Sequence, residues 1–141
     1  MLQAFQAFVM ATKLHPILVN FTAALVPVSV ASDAAARYFR NASLRATAWW
    51  TLLYATAVTP FTAVAGWLFW MKDDNGVTGM AVHKWLGTSL VALLSLVFLW
   101  RRRFRQRDDW VSLPYLAVAA VLVALLAVQG HLGGVQTYSG M

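Results

Sequence analysis

The sequence predicts an all-α integral membrane protein, a four-helix up-down bundle preceded by a short N-terminal interfacial helix. Three observations predict it. The chain is 60% hydrophobic and only 11% charged, against roughly 25% charged residues in a soluble domain. Its apolar residues fall into four runs of about 20, the length that crosses ~30 Å of hydrocarbon. The arginines collect in alternate connections between those runs, as they do where only one set of loops stays in the cytoplasm. At 141 residues the chain forms one domain.

The elements follow in order. Residues 1–12 place Leu2, Phe5, Phe8 and Val9 on one helical face with the glutamines opposite, as in a helix lying on a bilayer. The first span covers about 15–37. Pro16 at its first helical position costs no hydrogen bond and puts His15 at or near the N-cap, while Pro27 kinks the run. Lys13, the apolar core and Ala34, Ala35 and Ala36 also have the outline of a signal peptide, but the run is read as a true span. The second span, 46–71, carries Thr59-Pro60 near its midpoint and ends in the polar turn Lys72-Asp73-Asp74-Asn75-Gly76. The third, 80–101, is stopped by Arg101, Arg102, Arg103, Arg105 and Arg107. The fourth, 110–131, has Pro114 in its first turn. Short connections make sequential helices antiparallel neighbours and put the first and third on a diagonal. No repeat, low-complexity tract or Gly/Ser linker is visible.

Charge orients the bundle. Arg37, Arg40 and Arg45 join the later arginine run on one side, whereas the other side carries only Lys13, Lys72 and Lys84. The positive-inside rule makes the arginine side cytoplasmic and both termini periplasmic in a bacterial inner membrane. Trp49, Trp50, Trp100 and Trp110 mark the arginine level, and Trp67, Trp70 and Trp85 the opposite one. The net charge of +6 therefore belongs to lipid headgroups, with no nucleic-acid site implied.

The chain has three histidines and no cysteine. Disulfides, iron–sulfur clusters and covalent c-type haem are excluded. His15, His83 and His131 all fall at the outer level, one at the head of the first span, one about a turn into the third and one closing the fourth. Ionisable groups at membrane depth are costly and usually functional, and two imidazoles on facing helices hold a haem iron from both sides. His15 with His83 is the favoured axial pair, and His83 with His131 follows closely. Gly87, four residues after His83, and Gly130, Gly133 and Gly134 beside His131 leave bare backbone for a flat ligand. Small-residue helix packing explains Gly87 equally well, and a helix C-cap explains Gly133-Gly134. Phe21, Trp67 and Trp85 are placed to pack on a porphyrin, and Lys13, Lys84 and Tyr138 to meet its propionates.

Weaker candidates remain. Asp33 and Arg37, four apart, read as an intrahelical ion pair. Asp73-Asp74 reads as a solvated turn before a metal-ligand pair. Asn20 and Gln129, polar inside apolar runs, read as interhelical glue or as partners of a histidine or cofactor. No nucleophile–base pair or phosphate loop is present. An electron-transfer or structural subunit fits better than a stand-alone enzyme.

The motifs Leu14-His15-Pro16-Ile17-Leu18-Val19-Asn20-Phe21, Thr59-Pro60 through Ala65-Gly66-Trp67-Leu68-Phe69-Trp70, His83 with Gly87, and Gly130-His131-Leu132-Gly133-Gly134 occur in this order. On them the chain resembles the bacterial four-helix membrane family catalogued as domain of unknown function 2231, over about 14–140. The resemblance implies the fold and the three histidine positions, not an activity. Acidic residues often seen near the end of the second helix in that family are here Phe69 and Trp70, and the usual extension after Gly-Gly is short.

The expectation is a b-type haem protein, with one haem near the periplasmic face held by two of the three histidines. Its partners would be a periplasmic carrier, a quinone or other subunits of a respiratory complex. The rival is a membrane anchor or assembly subunit without haem. A third reading is a three-histidine copper, zinc or non-haem iron site.

Overall fold

The computed structural model describes residues 1–70 and 78–138. The polar turn with Asp73 and Asp74 lies outside the described residues, as do the side chains of Phe69, Trp70 and Tyr138. Five helices follow one another: α1 (Leu2–Ala11), α2 (Leu14–Phe39), α3 (Ala42–Trp70), α4 (Thr78–Gln106) and α5 (Leu113–Tyr138). α2 to α5 are each long and apolar enough to cross a membrane. They form a square in which α2–α3, α3–α4, α4–α5 and α2–α5 are in contact, and no backbone approach spans a diagonal among the described residues. α1 rests against α2 and α3 with Phe5 and Phe8 exposed, as a surface-lying helix would hold them.

Local chemistry sets the helix ends. Lys13 turns the chain from α1 into α2 with a left-handed backbone, φ 49°. Helix α2 begins at Leu14, so His15 lies inside its first turn instead of capping it. Pro16 is tolerated there because the first N–H groups of a helix have no internal acceptor. Arg40, also left-handed, ends α2, and the Asn41 side chain accepts from the N–H groups of Ser43 and Leu44 to start α3. Within α3, the hydroxyls of Thr47, Thr51, Thr56, Thr59 and Thr62 donate to carbonyls a turn earlier, so polar side chains survive at apolar depth.

The buried positions reveal a duplicated register. Thr22, Val26, Ser29 and Asp33 are the inward residues of α2, and 68 positions on, Leu90, Leu94, Val97 and Arg101 are those of α4. One residue fewer carries Ala48, Leu52 and Ala55 of α3 onto Tyr115, Ala119 and Leu122 of α5. The hairpin α2–α3 is thus repeated as α4–α5 about an axis running along the bundle. Few side chains are retained at matched positions, which is why the sequence shows no repeat. The first hairpin closes through small and hydroxyl residues, with Ser29 Oγ donating to the Ala48 carbonyl at 2.8 Å. The second fills the same space with Leu94, Val97 and Tyr115, the latter edged by Trp100 and Phe104.

Matched residues of α2 and α4 meet on the axis. At the arginine end, Arg101 Nε donates to Asp33 Oδ2 at 2.7 Å, and both side chains are 1% exposed. This corrects the expected Asp33–Arg37 pair. Arg37 instead donates to the Val111 carbonyl at 2.7 Å. Arg101, read from sequence as the start of the arginine run that stops the third span, continues the buried stripe of α4 and carries the cross-bundle charge.

Candidate histidine site on the bundle axis

The opposite end of the axis is occupied by His15 and His83, again matched positions of α2 and α4. Each lies seven residues before a buried residue of its own helix, Thr22 or Leu90, and so on the same face. Their ring centroids are 6.5 Å apart and their planes perpendicular. The two imidazoles bridge the diagonal that the backbones do not.

Each ring is seated on a glycine of its own hairpin partner. A Cβ at Gly66 of α3 would lie 2.8 Å from Cε1 of His15, and one at Gly133 of α5 would lie 2.9 Å from Cε1 of His83. No side chain fits at such distances without moving the ring. His15 Nδ1 lies 3.0 Å from the carbonyl of Thr62. A carbonyl only accepts, so Nδ1 carries the proton, and in the neutral ring Nε2 holds the lone pair. At the matched position in the second hairpin, the Gln129 amide donates to the His83 carbonyl at 2.9 Å and lies 3.4 Å from His83 Nε2. His83 Nδ1 and Gln129 Oε1 are buried with no hydrogen-bond partner among the described residues. Native interiors satisfy nearly all such atoms.

Gly87 serves a different purpose from the one expected. A Cβ there would lie 2.7 Å from Gln129 Nε2, so its bare backbone admits the glutamine that braces His83. Gly134 and Gly130 face open space. Helix α5 continues past Gly133-Gly134 to Tyr138, which rules out a C-cap at that pair. His131 is exposed. It lies two residues from both Gln129 and Gly133, and a helix turns by about 200° over two residues, so it faces away from the pair. Among the described residues, no group of three or more His, Asp or Glu side chains is close enough to share a metal ion.

Beside the pair, Trp67 Nε1 donates to Thr88 Oγ1 at 3.0 Å and joins α3 to α4. The Lys84 ammonium sits 3.6 Å from the centre of the Trp67 ring, with the Trp85 ring edge-on to it. Phe21 and Trp85 are largely exposed. Lys13 is exposed at the same end.

Residues 11–140 match the family model described as "Predicted membrane protein (DUF2231)". The chain belongs to that family. No curated protein and no solved structure matches it. Membership and the four apolar helices make it a multi-pass membrane protein. Within the DUF2231 fold as this chain builds it, sequence reasoning passed over Gly66 and Thr62 as parts of the histidine site. A signal for Gly66 existed: it follows His15 by nearly the same interval as Gly133 follows His83, as an antiparallel hairpin requires.

Proposed function

We propose that this protein is a membrane-embedded b-type haem protein, an electron-transfer subunit whose haem His15 and His83 would hold. The observation that carries the reading is the meeting of these two imidazoles on the bundle axis, from matched positions of the two hairpins. Two imidazoles on opposite sides of one metal, with metal–nitrogen bonds of about 2.0–2.1 Å, have centroids roughly 6 Å apart. The separation here is 6.5 Å.

The donor set favours haem over a bare ion. Two neutral nitrogens with no third His, Asp or Glu beside them among the described residues are a sparse donor set for copper or zinc, whereas a porphyrin brings four nitrogens of its own. When bound, haem supplies one-electron chemistry at its iron. The chain's residues do the rest. Thr62 fixes the tautomer of His15 and raises the basicity of its other nitrogen. Gln129 braces His83, whose buried Nδ1 has no hydrogen-bond partner among the described residues. Trp67, Thr88 and Lys84 close the α3–α4 seam beside the pair.

By the positive-inside rule we place the arginine end in the cytoplasm and the histidine end outside, with both termini periplasmic. With no histidine near the arginine end, electrons would be exchanged at the outer face alone, with a periplasmic carrier, a quinone or a larger complex. One observation favours the rival, a haem-free anchor or assembly subunit. The edge-to-face contact of His15 and His83 is itself a favourable packing arrangement.

Iron content and absorbance of the full chain and its three histidine variants separate the readings. A Soret band that sharpens on reduction, present in His131→Ala and lost in His15→Ala and His83→Ala, is the expected result. A spectrum unchanged in His83→Ala would sink the haem reading, and a colourless protein after haem is supplied would leave the scaffold.

A further inference from the structure

At the arginine end, a cavity of about 310 Å³ opens between α3 and α4. Its walls carry Arg45, Arg101, Arg105, Trp49, Trp50 and Asp108. Two of the guanidiniums are held in place. Arg45 bonds both the carbonyl and the carboxylate of Asp108, and Arg105 lies over Trp49 at 4.4 Å from the ring centre. Arg101 is the informative one. Its Nε is taken by Asp33 and its Nη2 by the Arg45 carbonyl, yet Nη1 is buried without a partner among the described residues, in a side chain that is 1% exposed. A charged donor left unmet in the interior costs more than a neutral one. Arg101 forms part of the cavity wall.

Asp108 and Asp33 offset two of the three guanidiniums and leave the site positive. From this geometry we infer that the α3–α4 cavity binds a phosphate group, the shared chemistry of an anionic phospholipid headgroup and of free phosphate. Arg105 supplies charge-assisted donors to its oxygens, and the fixed guanidiniums of Arg45 and Arg101 in the wall add positive charge beside it. Trp49 and Trp50 supply the amphipathic wall that such residues form at a membrane–water interface. Basic pockets between membrane helices hold anionic headgroups in this way.

The duplicated register supplies an internal control. The cavity between α2 and α5, of about 390 Å³, is lined by Arg37, Tyr38, Arg40 and Leu113 among others. There Arg37 stands where Arg105 stands in the first cavity, but its guanidinium donates to the Val111 carbonyl, and the match of Arg101 is the acidic Asp33. The anion site is therefore one-sided. It stands independently of the haem reading.

Native mass spectrometry of the full chain in neutral detergent tests it, with phosphatidylglycerol, phosphatidylcholine and inorganic phosphate as probes. Phosphatidylglycerol should be retained over phosphatidylcholine. Arg105→Gln should weaken retention by about tenfold, while Arg37→Gln leaves it unchanged. Arg105 is exposed, so this variant does not put the fold at risk, as Arg101→Gln would. Displacement by millimolar phosphate would make the phosphate group alone the recognised unit; retention despite phosphate would make it the lipid. Equal retention of both lipids with no phosphate effect would overturn the proposal, and so would phosphatidylglycerol binding that Arg105→Gln does not alter.

Discussion

The two ends of the bundle axis are built from the same two helices at matched positions, and they do opposite things. At one end Asp33 meets Arg101, unlike with unlike, and each neutralises the other inside the bundle. At the other end His15 meets His83, like with like, and two imidazoles stand side by side with no opposite charge between them. A duplicated hairpin forces every axial residue to face its counterpart. Complementary residues then make a lock, whereas identical ones make a symmetric pair of donors. The difference teaches where to look for function in this fold: at the place where symmetry sets two metal-ligating side chains face to face.

The largest effect is expected at the lock. Removing one partner of a buried ion pair strands the other, at about 3–5 kcal/mol. Asp33→Arg should therefore abolish the folded bundle or lower its thermal midpoint steeply, and Arg101→Asp should do the same. The double exchange, Asp33→Arg with Arg101→Asp, should recover most of the loss because the two positions are matched across the axis. Thermal unfolding in detergent reads the comparison, and a double variant no better than either single one would break the matched-axis description.

The next largest effect separates the glycines. Gly66→Ala and Gly133→Ala each drive a Cβ into a histidine ring, an overpacking cost of about 1–3 kcal/mol. Gly134→Ala meets open space within a helix and should be neutral or stabilise by up to ~1 kcal/mol. The sign of the shift in unfolding midpoint distinguishes glycines that seat a ring from one that does not. Gln129→Leu removes the brace on the His83 carbonyl, and a loss of about 1 kcal/mol is expected, readable in the same assay. Smallest of all is His131→Ala. An exposed side chain away from the pair should shift stability by less than about 0.5 kcal/mol, and a larger loss would return His131 to the site.

Much of the fold was legible because membrane helices declare themselves by the length of apolar runs, and short connections fix their order round the square. Depth was legible too: the histidines share a level because their places along the spans do. Azimuth was harder to read. His131 has the right depth, but Gln129 and Gly133 turn inward and carry it to the outside. Arg101 was hidden by the arginines that follow it, although Leu90, Leu94 and Val97 lead to it at helical spacing. Gly66 was invisible as a ring seat because its partner lies in another helix, and only the hairpin register brings Gly66 to His15. The duplication left almost no sequence trace. Matched positions share burial but not side chain, as Ala48 against Tyr115 and Ser29 against Val97 show.

The central claim is that the His15–His83 pair is one ligand-holding unit. The most direct test is a haem titration of the full chain in detergent, followed by the reduced-minus-oxidised spectrum, beside the double variant His15→Ala with His83→Ala. One haem per chain with a low-spin bis-histidine spectrum in the parent, and no specific uptake in the double variant, is the predicted result. Equal uptake by both proteins, or none by the parent, would contradict it.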